Sequence, residues 1–282
     1  MNIKGSTNIV GLIGHPVEHS FSPPMHNAAF AELGLDYAYV AFDVNPNNLK
    51  SAIEGAKSLN IKGFNVTIPH KIEVMQYLDE LDEVARLIGA VNTIDFKNLK
   101  GYNTDGIGAV RAIEEVSSIK GKDVVVAGAG GASRAISFYL AKFGADSITI
   151  LNRNVNKAQN LANDVLESDL IGDIGADSIS EIDNCLKGAD ILVDTTPLGM
   201  DPHINDEPIA KADSMHEDLV VFDAVYNPNE TVLLKEAIEA GAKPVYGIKM
   251  LLYQGAESFK IWTDRDAPID VMQKALNEYL GR

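Results

Sequence analysis

The chain has 282 residues, enough for about two domains at roughly 150 residues each. Its 46% hydrophobic and 23% charged content is globular, which excludes a disordered, collagen-like or coiled-coil protein. Forty acidic against 24 basic residues give a net charge of −16, so a nucleic-acid partner is not expected and an anionic ligand must find a local cluster of Lys or Arg. Cys185 is the only cysteine, which rules out an intrachain disulfide and a thiolate zinc centre. No apolar run approaches the ~20 residues of a membrane span or the core of a signal peptide, so a soluble, cytoplasmic protein without a membrane partner is expected.

Short β-rich runs alternate with helical patterns, which points to α/β units with mainly parallel sheets. Asn8 to Ile13 is a buried strand, and Ser22 to Leu33 is a helix with Pro23 and Pro24 in its first turn and Gly34 at its end. A strand is expected at Tyr37 to Phe42, a helix at Pro46 to Leu59, and a strand at Gly63 to Thr67. His70 to Ile88 reads as helical, in one or two pieces. Ala90 to Phe96 with Lys100 to Asn103 reads as a hairpin, and a helix follows from Gly106 to Glu115.

Beyond a polar link at Ser117 to Lys122, strands are expected at Asp123 to Ala127, Ser147 to Leu151, Ile191 to Asp194, Leu219 to Asp223 and Pro244 to Tyr246. The last helices span about Leu251 to Trp262 and Pro268 to Leu280. The fold class expected is α/β: an N-terminal α/β substrate domain, residues 1–105 completed by helices of 247–282, and a Rossmann-type NADP-binding domain, 106–246, with a cleft between them.

Gly128-Ala129-Gly130-Gly131-Ala132-Ser133 lies between a strand and a helical stripe and is a variant of the dinucleotide fingerprint. Gly128 permits the tight turn, Gly130 lets the backbone approach a pyrophosphate, and the small Ser133 takes the close-packing position. The helix N-terminus then offers N–H groups to phosphate. The next strand ends at Asn152-Arg153-Asn154, where an NAD site would place Asp or Glu for the ribose hydroxyl. Arg153 and Lys157 are instead suited to a 2′-phosphate, which favours NADP over NAD.

Four polar clusters sit at strand ends of the N-terminal half: Gly14-His-Pro16-Val-Glu-His-Ser20-Phe-Ser22-Pro23, Asn65-Val-Thr67-Ile-Pro69-His-Lys71, Gly89-Ala-Val-Asn92-Thr93 and Asn103-Thr104-Asp105-Gly106. Their hydroxyls, amides, ammonium and carboxylate suit a polyhydroxylated small molecule. Ketone reduction needs a proton donor near the oxygen, a role Lys71 can fill with Asp105 holding its ammonium. Asp105 could equally be the N-cap of the helix that follows. His15 and His19 have Pro16 between them, so no metal site is expected.

These clusters, the glycine turn, Asn152-Arg153 and Tyr246-Gly247-Ile-Lys-Met250-Leu-Leu-Tyr-Gln254-Gly255 closely resemble the shikimate dehydrogenase family over nearly the whole chain. The resemblance implies NADPH-dependent reduction of 3-dehydroshikimate to shikimate in aromatic amino-acid biosynthesis. It assigns the substrate carboxylate to Ser20 and Ser22, and the ring hydroxyls and reacting region to Thr67, Asn92, Asp105 and Gln254, with Tyr226 a further substrate contact. Lys71 becomes the general acid/base. Gly128, Ala129, Gly130, Gly131 and Ala132 bind pyrophosphate. Asn152, Arg153, Asn154 and Lys157 bind the adenosine phosphate end, and Ala224 and Gly247 lie near the nicotinamide. Glu83 matches a position sometimes tied to the cofactor.

The chain departs from the family pattern at Asn154 (often Thr), Lys157 (Arg in some), Asp194-Thr-Thr196-Pro (commonly Asn-Ala-Thr-Pro) and Lys249 (frequently Gly). Ser22, where quinate-accepting members often carry Thr, implies a preference for shikimate. The alternatives are a broader quinate/shikimate dehydrogenase and a non-catalytic NADP-binding sensor. Oligomeric state is left open, a homodimer being one form compatible with the resemblance.

Overall fold

In the computed structural model, which describes residues 3–280, the chain opens with β1 (Asn8–Gly14), α1 (Ser22–Glu32), β2 (Tyr37–Asp43), a 3₁₀ turn at Pro46–Asn48, α2 (Leu49–Ser58) and β3 (Gly63–Val66). Pro23 and Pro24 stand in the first turn of α1, where no amide hydrogen is needed. The helical expectation over His70 to Ile88 holds only in two short pieces parted by a strand. That stretch holds a 3₁₀ turn (Glu73–Tyr77), β4 (Glu80–Leu81) and a short helix, α3 (Glu83–Ile88). Val74, Leu78, Leu81, Ala85 and Ile88 recur every three or four residues and imitate a helical stripe. Leu78 is extended, however, and the Asp82 side chain accepts from Val84 N–H at 3.1 Å, starting a new helix. Val74, Leu78, Leu81 and Ala85 reach the same apolar core from separate short elements.

β5 (Thr93–Asp95) and β6 (Lys100–Tyr102) form the expected antiparallel hairpin. The first sheet has the order β2-β1-β3-β5-β6-β4. It is parallel across β2, β1 and β3 and antiparallel from β3 to β5.

The second half runs α4 (Asp105–Glu114), β7 (Asp123–Ala127), α5 (Gly131–Lys142), β8 (Ser147–Asn152), α6 (Val155–Leu166), β9 (Ile174–Ser178), α7 (Ile182–Cys185), β10 (Ile191–Asp194), β11 (Val220–Asp223), α8 (Val232–Glu239), β12 (Lys243–Tyr246), α9 (Gly247–Thr263) and α10 (Ile269–Tyr279). β7 to β12 form an all-parallel sheet of order β12-β11-β10-β7-β8-β9. The order reverses between β7 and β10, the doubly wound arrangement whose crevice at the reversal receives dinucleotides. Buried aliphatic runs such as Val124–Ala127 and Ile191–Val193 fit strands covered on both faces. Gly106 is needed for packing: a Cβ there would lie 2.3 Å from the Ala135 carbonyl oxygen on α5.

Two compact units divide this chain: residues up to Thr104 with those from Gln254 onward, and Asp105–Tyr253. The sequence-based division set these changes at 105/106 and 246/247. Among the described residues no helix is long and apolar enough to cross a membrane, and no group of three His, Cys, Asp or Glu side chains is placed to hold a metal.

The core of the first unit contains a buried histidine. His26 on α1 stacks on Tyr39 with centroids 4.5 Å apart, beside Phe30, Phe259 and Trp262. Neither ring nitrogen has a partner. Trp262 N–H donates to the Ile94 carbonyl at 3.0 Å, and its indole occupies the space a Cβ on Gly63 would need.

Burial lowers the His26 pKa from 6.5 to about 3. The unfolded chain therefore binds the extra proton first: this site's contribution is complete above pH 6.5 and is lost as pH falls toward 3, at about 1.4 kcal/mol per pH unit. His26→Phe is expected to flatten this acid branch in thermal melts. An identical acid loss in the variant would show that His26 does not govern it.

Candidate active site

In the first unit the antiparallel pairing of β3 with β5 sets Asn65 opposite Thr93. Asn65 Nδ2 donates to Thr93 Oγ1 at 3.1 Å and to Ser258 Oγ, on α9, at 2.9 Å. Its Oδ1 accepts from the Tyr39 hydroxyl at 2.8 Å. Tyr39 is wholly buried, which pushes its phenol pKa far up, and its oxygen is hydrogen-bonded to the Ser22 side chain. Ser22 N–H donates to Ser20 Oγ at 3.2 Å. On the other side, Thr93 Oγ1 donates to Asn92 Oδ1 at 3.1 Å, and Asn92 Nδ2 donates to Thr104 Oγ1 at 3.0 Å and to Gln254 Oε1 at 3.5 Å. A continuous buried chain of amides and hydroxyls thus joins the expected substrate residues Ser20, Ser22, Asn92 and Gln254.

Thr67 and Lys71, both half-buried, occupy the segment after β3. Thr67 N–H donates to Ile13 O at 2.9 Å, and the Lys71 carbonyl accepts from Val91 N–H at 2.8 Å, next to Asn92. Buried His70 anchors this segment: its Nε2 lies 2.7 Å from the Val44 carbonyl. Its neighbour Lys71 attracts notice in the sequence; the anchoring role of His70 does not. Tyr39 and Ser258 also escaped the sequence reading. Ser258 offered one signal, its position one helical turn beyond Gln254. Glu83 is exposed in the first turn of α3, where a carboxylate complements the helix N-terminus.

In the second unit Asp105 opens α4 as its first helical residue, without the N-cap position that sequence allowed. Gly128 follows β7 with φ +104°, a conformation L side chains rarely adopt, and a Cβ there would lie 2.4 Å from Thr195 Oγ1. Its N–H donates to Leu151 O at 2.8 Å, which ties the turn to β8. Ser133 is fully buried and donates to the Gly128 carbonyl at 2.7 Å. Gly130 and Gly131 face open space. No side chain caps the N-terminus of α5, and its first turn carries no acid. Ala129 and Ala132 flank these glycines. The turn therefore fits a dinucleotide pyrophosphate, which takes the amide hydrogens that capping side chains leave alone.

At the end of β8, Asn152 Nδ2 donates to the Asn154 carbonyl at 3.0 Å, and Asn154 caps α6 by accepting from Lys157 N–H at 3.4 Å. Arg153 and Lys157 are exposed and make no ion pair among the described residues. Two uncompensated cations in a strongly acidic protein fit a 2′-phosphate. Ala224 and Gly247 are brought together: a Cβ on Gly247 would lie 2.6–2.7 Å from the carbonyl oxygens of Asp223, Ala224 and Val225. Tyr226 follows on the same loop, 40% exposed.

A doubly wound sheet with an uncapped glycine turn where its strand order reverses, carried with an α/β unit built around neutral hydrogen-bonding side chains and a lysine, is the architecture of a two-domain nicotinamide-dependent dehydrogenase. Comparison with known proteins narrows the class. Residues 12–94 match the family model for the shikimate dehydrogenase substrate binding domain, 111–232 that for shikimate/quinate 5-dehydrogenase, and 247–276 that for the shikimate 5'-dehydrogenase C-terminal domain. A shikimate dehydrogenase (NADP(+)) of Methanobrevibacter smithii is 72% identical over 278 residues, 99% of each chain. A crystal structure of a shikimate dehydrogenase in complex with NADP+ superposes with a TM-score of 0.93 at 52% identity, covering 100% of this chain and 98% of the other. That of the Listeria monocytogenes shikimate 5-dehydrogenase with shikimate and NAD also gives 0.93, at 37% identity and 98% coverage of each. The chain belongs to the shikimate dehydrogenase family.

The crowding at Gly247 yields a test. Gly247→Ala is expected to displace the Asp223–Val225 carbonyls, at a cost of about 1–3 kcal/mol of stability, and to weaken NADP+ binding on the order of ten-fold. Calorimetric titration reads the affinity and thermal melts the stability. A destabilised variant that binds NADP+ normally would remove this loop from the cofactor site.

Proposed function

We propose that this chain catalyses the reversible NADPH-dependent reduction of 3-dehydroshikimate to shikimate, a step of aromatic amino-acid biosynthesis, and acts in the cytoplasm. The observation that carries the reading is the buried chain Ser22–Tyr39–Asn65–Thr93–Asn92–Gln254 beside the Lys71 segment. It provides neutral donors and acceptors in fixed positions, the complement of a small ring bearing several hydroxyls and a carboxylate. Family membership and the NADP-suited turn supply the rest.

In this reading Ser20 and Ser22 receive the carboxylate. Ser20 is the better placed donor, since its oxygen accepts from Ser22 N–H and its own proton is left for a ligand. Thr67, Asn92, Asp105 and Gln254 orient the ring through its hydroxyls, and Tyr226 adds a contact. NADPH, when bound, supplies the hydride for the ketone carbon. The Lys71 ammonium gives its proton to the ketone oxygen in reduction and takes it back in oxidation, with Asp105 holding the ammonium in place. Gly128–Ala132 hold the pyrophosphate, Asn152–Asn154 and Lys157 the adenosine phosphate end, and Ala224 and Gly247 border the nicotinamide. Glu83 is retained in this reading as a cofactor contact.

Lys71→Ala is expected to lower kcat by roughly 10²–10⁴-fold with a much smaller change in KM, because the hydroxyl-directed contacts remain. Steady-state assays with 3-dehydroshikimate and NADPH, followed at the nicotinamide absorbance, measure both constants. A variant with normal kcat and raised KM would make Lys71 a binding residue.

The cofactor reading has its own test. Arg153→Gln should weaken NADPH more than NADH, and added salt should do the same to the wild type, because screening acts on the additional phosphate. Equal losses for both cofactors would mean that Arg153 reads some other part of the dinucleotide.

A further inference from the structure

Asp194 and Asp223 end β10 and β11 and are registered partners on these adjacent parallel strands. Their side chains therefore leave the same face, on strands about 4.8 Å apart. Asp194 is 1% exposed and Asp223 is fully buried. Neither makes an ion pair among the described residues. The registered residues on the flanking strands are Ala127 on β7 and Tyr246 on β12, and the N-cap of α8 contributes Thr231; none of these is a cation, and among the described residues no cation acts on either carboxyl group.

Each carboxylate also builds the turn that follows it. Asp194 Oδ1 accepts from Thr196 N–H at 2.8 Å, and Asp223 Oδ1 accepts from Val225 N–H at 2.9 Å. Asp223 Oδ2 accepts from the Thr231 hydroxyl at 2.5 Å. Ala224 N–H donates to the Asp194 carbonyl at 2.9 Å, and Thr195 donates through both its N–H and its hydroxyl to Ala127 O. The two turns thus stand beside the Gly128 turn, at the reversal of strand order.

Two carboxylates cannot both ionise cheaply in such a place. Burial pushes both pKa values up, and the charge of Asp223 raises Asp194 further. Hydrogen bonds from Thr196 support Asp194 and those from Val225 and Thr231 support Asp223, but only Asp194 is raised by its neighbour's charge as well as by burial, so the proton rests with Asp194.

We propose that Asp194 and Asp223 hold one proton between them at neutral pH, and that this shared proton fixes the two strand-end turns against which the dinucleotide binds, making Asp194 a positioning residue for the cofactor. The positioning half rests on the dehydrogenase reading above; the shared proton does not. When the proton leaves in alkali, two like charges confront each other without a cation, and the Thr195–Pro197 and Ala224–Tyr226 turns are driven apart.

The test pairs a binding measurement with a spectrum. NADP+ affinity, titrated calorimetrically from neutrality into alkali, is expected to fall by about ten-fold per pH unit once the pair has lost its proton. Asp194→Asn keeps an oxygen for Thr196 N–H and offers an amide hydrogen toward Asp223, so its affinity is expected to stay level over the same range. The same alkaline loss in both proteins overturns the positioning role. Infrared spectroscopy of the ligand-free wild type, with isotopically labelled aspartate, is expected to show a protonated carboxyl band at neutral pH that disappears in alkali. This measurement needs no variant to fold, and absence of the band overturns the proposal. A band without NADP+ binding by either protein would overturn the dehydrogenase reading and the positioning role together, while bearing out the shared proton.

Discussion

The nucleotide-binding unit depends on a close approach at one point, where the end of β7 meets the end of β10. Gly128 adopts a positive φ there, and the Thr195 hydroxyl occupies the space a Cβ would take. That hydroxyl is in turn bound to the Ala127 carbonyl, so the two strand ends are joined through the turn they create. Because the Gly128 carbonyl is taken by Ser133 and its N–H by Leu151, the backbone of the turn is satisfied within the protein up to Gly128. The amides beyond it, at Gly130 and Gly131, are the ones left for an anion. A side chain at Gly128 would spoil the geometry; side chains at Gly130 or Gly131 would meet nothing in the protein and would project into the open space beside these amides.

The first unit solves a different problem with different means. Its polar cluster around Asn65 and Asn92 is buried, and burying a polar group is tolerable only when it is hydrogen-bonded. Asn65 meets that requirement by linking β3, β5, β2 and α9 through Thr93, Tyr39 and Ser258. The residues expected to touch substrate hang from this frame. Fully satisfied networks of this kind hold side chains in one arrangement, which a site that must recognise several similar hydroxyls requires. His26 is the exception in the same core, its two nitrogens without partners among aromatic rings, and it stays neutral for that reason.

Much of this was legible in the sequence because the signals were local. The glycine turn, the prolines of α1 and the β5–β6 hairpin each declare themselves within a few residues. In the segment from His70 to Ile88 the two helical pieces were legible but the strand between them was not, because three- and four-residue spacing of Val74, Leu78, Leu81, Ala85 and Ile88 also arises when short elements each send one side chain to a shared core. Tyr39 and Ser258 lie 26 and 193 residues from the Asn65 they support, and nothing around them marks the connection. Asp194 stood out as a departure from the family pattern. Its partnership with Asp223, however, is a fact of strand register, and register between parallel strands joined by long crossovers is not written in either segment alone.

The charge balance gives these features a common logic. A chain of net charge −16 has to bind a dinucleotide phosphate and a carboxylate-bearing ring. Long-range attraction is unavailable, so affinity has to come from groups acting at contact. Amide hydrogens at the uncapped start of α5 and hydroxyl hydrogens in the first unit are groups suited to that need without adding charge. In the proposed reading, cations enter where a full ionic charge has to be met or a proton moved: Arg153 just after β8 and Lys157 in the first turn of α6, and Lys71 after β3. Acidic groups near the nucleotide crevice work against binding unless their charge is restrained. Asp194 and Asp223 lie at the ends of strands bordering that crevice, and there a pair bearing one negative charge opposes an anionic ligand less than a pair bearing two. Burial, which raises both carboxyl pKa values, therefore serves the anion site as well as the packing of the sheet.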